Sequence, residues 1–229
     1  MKICITARIV ERIKLLFDSV LGIYMYEFVD QSICKELRIE CEKILKEVQS
    51  RVKEYFTFQF SLIGSGERRL VTRNGGGPFD LDYNLILMKD KQGLINNPKR
   101  IKDIFLNAFK EVNRSYGFSF AKNSTSVITS NLVFNKKVEF SFDCAIMCVG
   151  NNGNLYKIVF DKPDRYIWNE IKHTKEFNSK YQYLVSCGLF LEIKELYLKK
   201  KNMHLRRNDD ISSFSILSET VNELFQKNY

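Results

Sequence analysis

The length, composition and charge of the chain describe an ordinary globular protein that favours anionic ligands. It has 229 residues, of which 45% are hydrophobic and 28% charged. This is enough to bury a core, and it excludes a disordered, collagen-like or fibrous chain. The 36 basic and 27 acidic residues leave a formal net charge of +9, which favours polyanionic partners.

The spacing of apolar residues predicts the secondary structure in chain order. Helical spacing predicts one helix over 7–21 and a second that is capped by Asp30 and runs to about residue 55. Alternating apolar residues predict strands, and Asn97-Pro98 begins a helix that ends at Gly117. The predicted strands are 56–63, 80–88, 126–134, 137–148 and 155–160, and helical spacing returns over 164–175, 178–200 and 212–227.

This order of elements predicts an α/β (α+β) protein with a mixed central β-sheet flanked by helices and a C-terminal helical region. We divide the chain into an N-terminal helical segment (1–30), a core that carries the sheet (31–160) and a C-terminal helical region (161–229). The sequence contains no internal repeat and no low-complexity linker.

Several other classes of protein are not expected. The sequence lacks the run of about 20 uncharged apolar residues that a membrane span needs, and charges from Arg8 onward interrupt the apolar start of a signal peptide. The six cysteines form no Cys-x-x-Cys pair and only two histidines are present, which argues against a zinc site. We therefore expect a cytoplasmic protein with no membrane partner.

The acidic residues that open the second predicted strand belong to the most informative motif. The first predicted strand ends in Gly64-Ser65, and the next one begins with Asp80 and Asp82 in an Asp-x-Asp pattern. Because side chains of a strand alternate between its faces, both carboxylates project from one side. Adjacent carboxylates repel unless a cation neutralises them, and oxygen-seeking Mg²⁺ is suited to that role.

A third carboxylate, Asp143, lies on a later predicted strand whose opposite face is apolar. If the two strands are neighbours with aligned faces, the three carboxylates converge and could hold two Mg²⁺ ions for phosphoryl transfer. The alternative for Asp80 and Asp82 is a turn after a glycine-rich loop. The alternative for Asp143 is an exposed carboxylate on the sheet.

This pattern resembles the nucleotidyltransferase superfamily typified by DNA polymerase β. Its members share an apolar strand, Gly-Ser, a spacer, Asp-x-Asp and a third aspartate on a downstream strand. The similarity runs from about Phe56 to Met147. Fourteen residues separate Ser65 from Asp80 and include Gly75-Gly76-Gly77. A spacer of this length resembles the oligoadenylate and cyclic-dinucleotide synthase branch.

The resemblance implies that the core is catalytic and transfers a nucleoside monophosphate from an NTP, ATP by default, to an acceptor hydroxyl with release of pyrophosphate. It implies Mg²⁺ as the metal, with Mn²⁺ as an alternative. Asp80 and Asp82 would coordinate both metal ions. Asp143 would bind only the catalytic ion and orient the attacking hydroxyl.

The resemblance also implies residues that bind the NTP. Gly64 would allow close approach of the triphosphate, and Ser65 would hold its β- and γ-phosphates. Arg68, Arg69 and Arg73 lie in the following loop, and their guanidinium groups could clamp phosphates or an acceptor.

The acceptor stays open between an RNA end, a second nucleotide and a protein hydroxyl, and the oligomeric state is not predicted. The basic surface argues against cationic acceptors. The alternative function is a catalytically inactive module of the same fold that binds RNA or a partner protein, for example within a toxin–antitoxin pair.

Overall fold

The computed structural model describes residues 25–119, 121–171 and 175–229. The helix predicted over 7–21, and with it most of the predicted N-terminal segment, lies outside these ranges. In chain order the elements are β1 (Tyr26–Phe28), α1 (Gln31–Val52), β2 (Phe56–Ile63), α2 (Gly64–Glu67), β3 (Thr72–Asn74), β4 (Phe79–Asp90), α3 (Pro98–Tyr116), β5 (Lys122–Asn123), β6 (Ile128–Phe134), β7 (Lys137–Val149), β8 (Leu155–Lys162), β9 (Arg165–Glu170), α4 (Lys175–Ser186), α5 (Phe190–Arg207) and α6 (Ser213–Asn228).

The described residues divide into two compact units. The first contains 29–71, 76–119 and 121–171, and the second contains 25–28, 72–75 and 175–229. The prediction of a mixed α/β protein with a central sheet and a C-terminal helical region is confirmed. None of the helices in the described ranges is long and apolar enough to cross a membrane.

A seven-stranded mixed sheet forms the first unit. Its main path runs β2-β4-β7-β6-β5, and β8 pairs with β7 and with β9. β4 and β7 are parallel, whereas the other paired strands of this sheet are antiparallel. The parallel pair places the start of β4 beside the middle of β7, where the predicted site residues lie.

One face of this sheet is covered by apolar residues that pack against α1 and α3. Alternate residues of β4 and β7 are buried there, and the rings of Phe109 on α3 and Phe142 on β7 have centroids 6.2 Å apart. Asp30 caps α1 by accepting from the backbone N–H of Ser32 at 2.6 Å. Burial of one large apolar side chain contributes about 1.5–3 kcal/mol, so this face anchors the sheet and leaves the other face for polar side chains.

The helix predicted over 164–175 is wrong, because the first part of this stretch is strand β9. β9 forms a hairpin with β8, in which Tyr166 pairs with Phe160 and Trp168 with Ile158. Asp164 closes the turn with a φ of 59°, and aspartate tolerates this left-handed conformation better than most residues. A short apolar run is compatible with the spacing of either a helix or a strand, and here pairing with β8 stabilises the strand.

The second unit combines the β1–β3 ribbon with three helices. Asn202 on α5 accepts from the backbone N–H of Tyr26 at 2.6 Å and donates to its carbonyl at 3.0 Å. Lys200, also on α5, pairs with Glu219 and Glu223 on α6. The single helix predicted over 178–200 is also wrong: it is two helices, α4 and α5, since the chain turns at Gly188 with a φ of 81°.

Candidate active site

The three aspartates predicted as metal ligands lie side by side on the polar face of the sheet. In the parallel register of β4 and β7, Asp82 is opposite Asp143 and Asp80 is opposite Ser141. One carboxylate oxygen from each aspartate lies within 4.8 Å of the other two. Asp80 is exposed, and Asp82 and Asp143 are half-buried. The geometry therefore suits cation binding, while the catalytic and metal-binding roles of these residues remain a prediction.

The electrostatics of this cluster disfavour three ionised carboxylates. Burial, followed by repulsion from Asp80 and Asp143, raises the pKa of Asp82 to about 7. Burial also raises the pKa of Asp143, and a hydrogen bond with the Thr129 side chain and the charge of Lys102 oppose that rise. A proton or a cation must therefore compensate the charge at neutral pH.

An unsatisfied oxygen points to a cation rather than a proton alone. Oδ1 of Asp143 is buried and has no hydrogen-bond partner among the described residues. A buried acceptor without a donor is costly, and a divalent cation would provide the missing partner together with positive charge. The donor set consists of oxygens only, which fits Mg²⁺ or Mn²⁺.

Gly64 leaves open the space beside the Asp82 carboxylate. It follows Ile63, which pairs with Asp82 in the β2–β4 register, and its φ is +66°. A Cβ atom at this position would lie 3.1 Å from Oδ2 of Asp82. Ser65 comes next in the short helix α2 and is half-buried, and its carbonyl accepts from the N–H of Leu70 at 2.8 Å.

The Gly64→Ala variant should lose activity beyond the effect of backbone strain. Its methyl group would push the Asp82 carboxylate by a few tenths of an ångström, so if Asp82 holds a metal ion we expect a loss smaller than the roughly hundredfold one that a misplacement of about 1 Å can cause. Gly93→Ala is the matched control, because Gly93 has a φ of +67° and no atom lies within 4 Å of the position that a Cβ would take there. We expect both variants to lose about 1–2 kcal/mol of unfolding free energy in urea. Only Gly64→Ala should also lower Mn²⁺ affinity, and equal Mn²⁺ affinities would contradict the crowding argument.

The three arginines predicted to clamp phosphates do not all lie in one unit. Arg69 is exposed in the first unit and has a φ of 59°. Arg73 lies on β3 in the second unit, where its Nη2 is 2.6 Å from Oε1 of Glu27. Arg68 also lies in the first unit and donates from Nη1 to the carbonyl of Gly64 at 3.0 Å. Phosphate binding by Arg68, Arg69 and Arg73 therefore stays a prediction.

Sequence analysis missed two residues that act on the cluster. Thr129 is opposite Asp143 in the β6–β7 register, and its side chain favours the ionised form of that carboxylate by lowering its pKa. Lys102 on α3 is fully buried, and its charge acts on Asp143. The order of the strands was needed to find Thr129. For Lys102, the only indication in the sequence was its position next to Ile101, which belongs to the apolar face of the predicted helix.

Comparison with known proteins identifies the fold through structure alone. No protein-family model matches the chain, and no curated protein matches its sequence. Vibrio cholerae DncV cyclic AMP-GMP synthase in complex with the linear intermediate 5' pppA(3',5')pG aligns with a TM-score of 0.56 and 12% identity, over 85% of this chain and 67% of that one. The GTP-bound form of the same Vibrio cholerae protein aligns with a TM-score of 0.52 and 13% identity, over 97% of this chain and 56% of that one.

A third structure, Escherichia coli DncV bound to 3'-deoxy GTP, aligns with a TM-score of 0.51 and 10% identity, over 85% of this chain and 53% of that one. The chain thus spans between 53% and 67% of the length of these three structures. At such low sequence identity the similarity to these structures concerns the fold alone. The motif with its three aspartates is consistent with that fold. The chain therefore has the nucleotidyltransferase fold typified by DNA polymerase β, and among solved structures it resembles the cyclic-dinucleotide synthase branch.

Proposed function

We propose that this protein is a metal-dependent nucleotidyltransferase that moves a nucleoside monophosphate from an NTP to an acceptor hydroxyl and releases pyrophosphate. The observation that carries the proposal is the cluster of three carboxylates, with oxygens within 4.8 Å of one another, on the face of the sheet opposite the apolar core. The fold shared with DncV structures that contain GTP or a linear dinucleotide supports it. Asp80, Asp82 and Asp143 would hold the metal ions.

The position of each aspartate suggests its role. Asp82 lies between the exposed Asp80 and the more enclosed Asp143, so it is suited to contribute to both metal positions. Asp143 has a buried oxygen without a partner among the described residues, so it can bind a metal ion there and orient an acceptor hydroxyl beside that ion. Bound Mg²⁺ would supply positive charge for the phosphates and the carboxylates.

The NTP would lie beside Gly64 and Ser65. Gly64 presents no side chain toward Asp82, so a phosphate can approach the backbone there. Ser65 follows directly and offers a hydroxyl and an amide for the same phosphates. ATP is the default donor, and Mn²⁺ is a candidate replacement for Mg²⁺.

For the acceptor we favour a second nucleotide over an RNA end or a protein hydroxyl. The Vibrio cholerae DncV structure that aligns with a TM-score of 0.56 contains a linear dinucleotide intermediate. The net charge of +9 agrees with binding two polyanionic nucleotides. The expected product is a short oligonucleotide, linear or cyclic.

A label-transfer assay tests this proposal. The protein is incubated with each α-³²P NTP, singly and in pairs, with Mg²⁺ or Mn²⁺ and with or without RNA. We expect a labelled small product that resists phosphatase and is absent with Asp82→Asn. Asp103→Asn is the control, because it makes the same chemical change on the half-exposed side of α3, where Asp103 pairs with Lys99.

Other outcomes of the assay correct the acceptor or the function. Label in RNA or in protein would assign those acceptors instead. If a folded wild-type protein forms no labelled product with any nucleotide or metal, the enzymatic proposal is wrong and an inactive binding module takes its place.

A further inference from the structure

Lys102 is a cation placed inside the core of the first unit. None of its surface is exposed (0%). Its Nζ donates to the backbone carbonyl of Val127 at 2.9 Å and lies 5.9 Å from the ring centroid of Tyr166. Within the described part of the chain it forms no ion pair with a carboxylate. Burial lowers the pKa of Lys102 to about 8.

Stability alone does not explain a lysine at this position. Removing an ammonium group from water costs several kcal/mol, and a single carbonyl and one aromatic ring recover only part of that. Its neighbours on α3, Ile101 and Phe105, are also fully buried. Methionine has a similar length and would fill the same space without the cost of burying a charge.

A short path connects Lys102 to the carboxylate cluster. Val127, which accepts its hydrogen bond, directly precedes β6. Two residues further on, Thr129 is opposite Asp143 in the β6–β7 register. The charge of Lys102 and the side chain of Thr129 both favour the ionised form of Asp143. The lysine therefore reaches the site through the backbone of β6 as well as through its charge.

We propose that Lys102 is a positioning residue for Asp143. Its buried ammonium fixes the start of β6 through the carbonyl of Val127, and this places the Thr129 hydroxyl against one oxygen of Asp143. The other oxygen, Oδ1, is then held in place without a protein partner and is available to a metal ion. The proposal rests on the proposed function, in which Asp143 binds the catalytic metal.

The first test is Lys102→Met. Loss of a residue behind a metal ligand commonly costs about 10–100-fold in metal affinity or activity. We expect kcat to fall at least about tenfold, the KM for the NTP to stay within about twofold, and Mn²⁺ affinity measured by EPR without nucleotide to weaken about tenfold. The free energy of unfolding in urea should be unchanged or higher, because the buried charge is gone. Lys99→Met, on the half-exposed side of the same helix, should change none of these quantities.

Variants of Thr129 test the path from Lys102 to Asp143. Thr129→Ser keeps the hydroxyl and should retain Mn²⁺ affinity, whereas Thr129→Val removes it and should resemble Lys102→Met. The double variant Lys102→Met/Thr129→Val should bind Mn²⁺ about as weakly as the weaker single variant, since both act through one contact. Additive losses in the double variant, or wild-type Mn²⁺ affinity in Lys102→Met, would overturn the proposal.

Amide hydrogen exchange separates failure of this inference from failure of the proposed function, because it requires neither metal nor nucleotide. Lys102→Met should accelerate exchange over 127–130 at the start of β6 and leave β2 unchanged. Unchanged exchange over 127–130 would overturn the positioning role. If exchange and Mn²⁺ affinity change as expected while the wild type transfers no nucleotide, the proposed function fails and the positioning of Asp143 stands.

Discussion

The Asp82→Asn variant should lose nucleotidyl transfer and, in metal-free buffer at pH 8, unfold at a higher temperature than the wild type. Asn keeps the shape of the side chain and removes a charge that burial, Asp80 and Asp143 all disfavour. The loss of a metal ligand removes several kcal/mol of charge stabilisation in the transition state, which corresponds to at least about a thousandfold in rate. Because the pKa of Asp82 is raised from 3.8 to about 7, removal of this charge should raise the free energy of unfolding by about 4 kcal/mol at this pH.

The opposite directions of these two effects distinguish a functional carboxylate from a structural one. If the carboxylate stabilised the fold, its replacement by Asn would make the protein less stable. Asp80→Asn is the matched comparison, because Asp80 is exposed: it should lose activity with a smaller gain in stability, since it relieves only the repulsion on Asp82 and not the cost of burying a charge. The measurements are the label-transfer rate and the thermal unfolding midpoint with EDTA. If Asp82→Asn is less stable than the wild type without metal, repulsion among the carboxylates is not what sets the stability of this site.

Strand alternation was sufficient to predict which side chains of each strand share a face. It placed Asp80 and Asp82 on one face of β4 and Asp143 on the polar face of β7, and the structure shows both faces aligned. What alternation does not contain is the order of the strands. The parallel partner of β4 is β7, and α3, β5 and β6 lie between them in the chain. The sequence could therefore predict that the three carboxylates converge only on the condition that these two strands are neighbours.

The residues that escaped prediction did so for different physical reasons. Lys102 is polar and was not counted among the apolar residues of α3, yet it is fully buried and held by a single carbonyl. Arg73 follows the Gly-Ser motif closely in sequence, but its strand pairs with β1 and it belongs to the second unit. The strand β9 was mistaken for a helix because its pairing partner, β8, decides its conformation. The deciding contact is distant in sequence for Lys102 and Arg73, whereas for β9 it lies across a tight turn.

In metal-free buffer, the stability contributed by Asp82 should decrease as the pH rises from about 4 to about 8. Burial, Asp80 and Asp143 raise its pKa in the folded protein from 3.8 to about 7. Between these values the folded protein holds a proton that the unfolded chain has released, so each unit of pH increase lowers the free energy of unfolding by about 1.4 kcal/mol. The measurement is the free energy of unfolding at pH 5, 6, 7 and 8 with EDTA. Subtracting the values for Asp82→Asn isolates this carboxylate from the other titrating groups.

Mg²⁺ should reverse this trend, because a metal ion and a proton compete for the same oxygens. At pH 8 the cluster is ionised and binds the cation, which stabilises the folded state by mass action. At pH 5 Asp82 holds a proton, so the same concentration of Mg²⁺ should raise the unfolding temperature less. Asp82→Asn should show little stabilisation by Mg²⁺ at either pH. Equal stabilisation of the wild type at pH 5 and pH 8 would mean that Mg²⁺ binds elsewhere on the protein, and the assignment of the three aspartates as its ligands would fail.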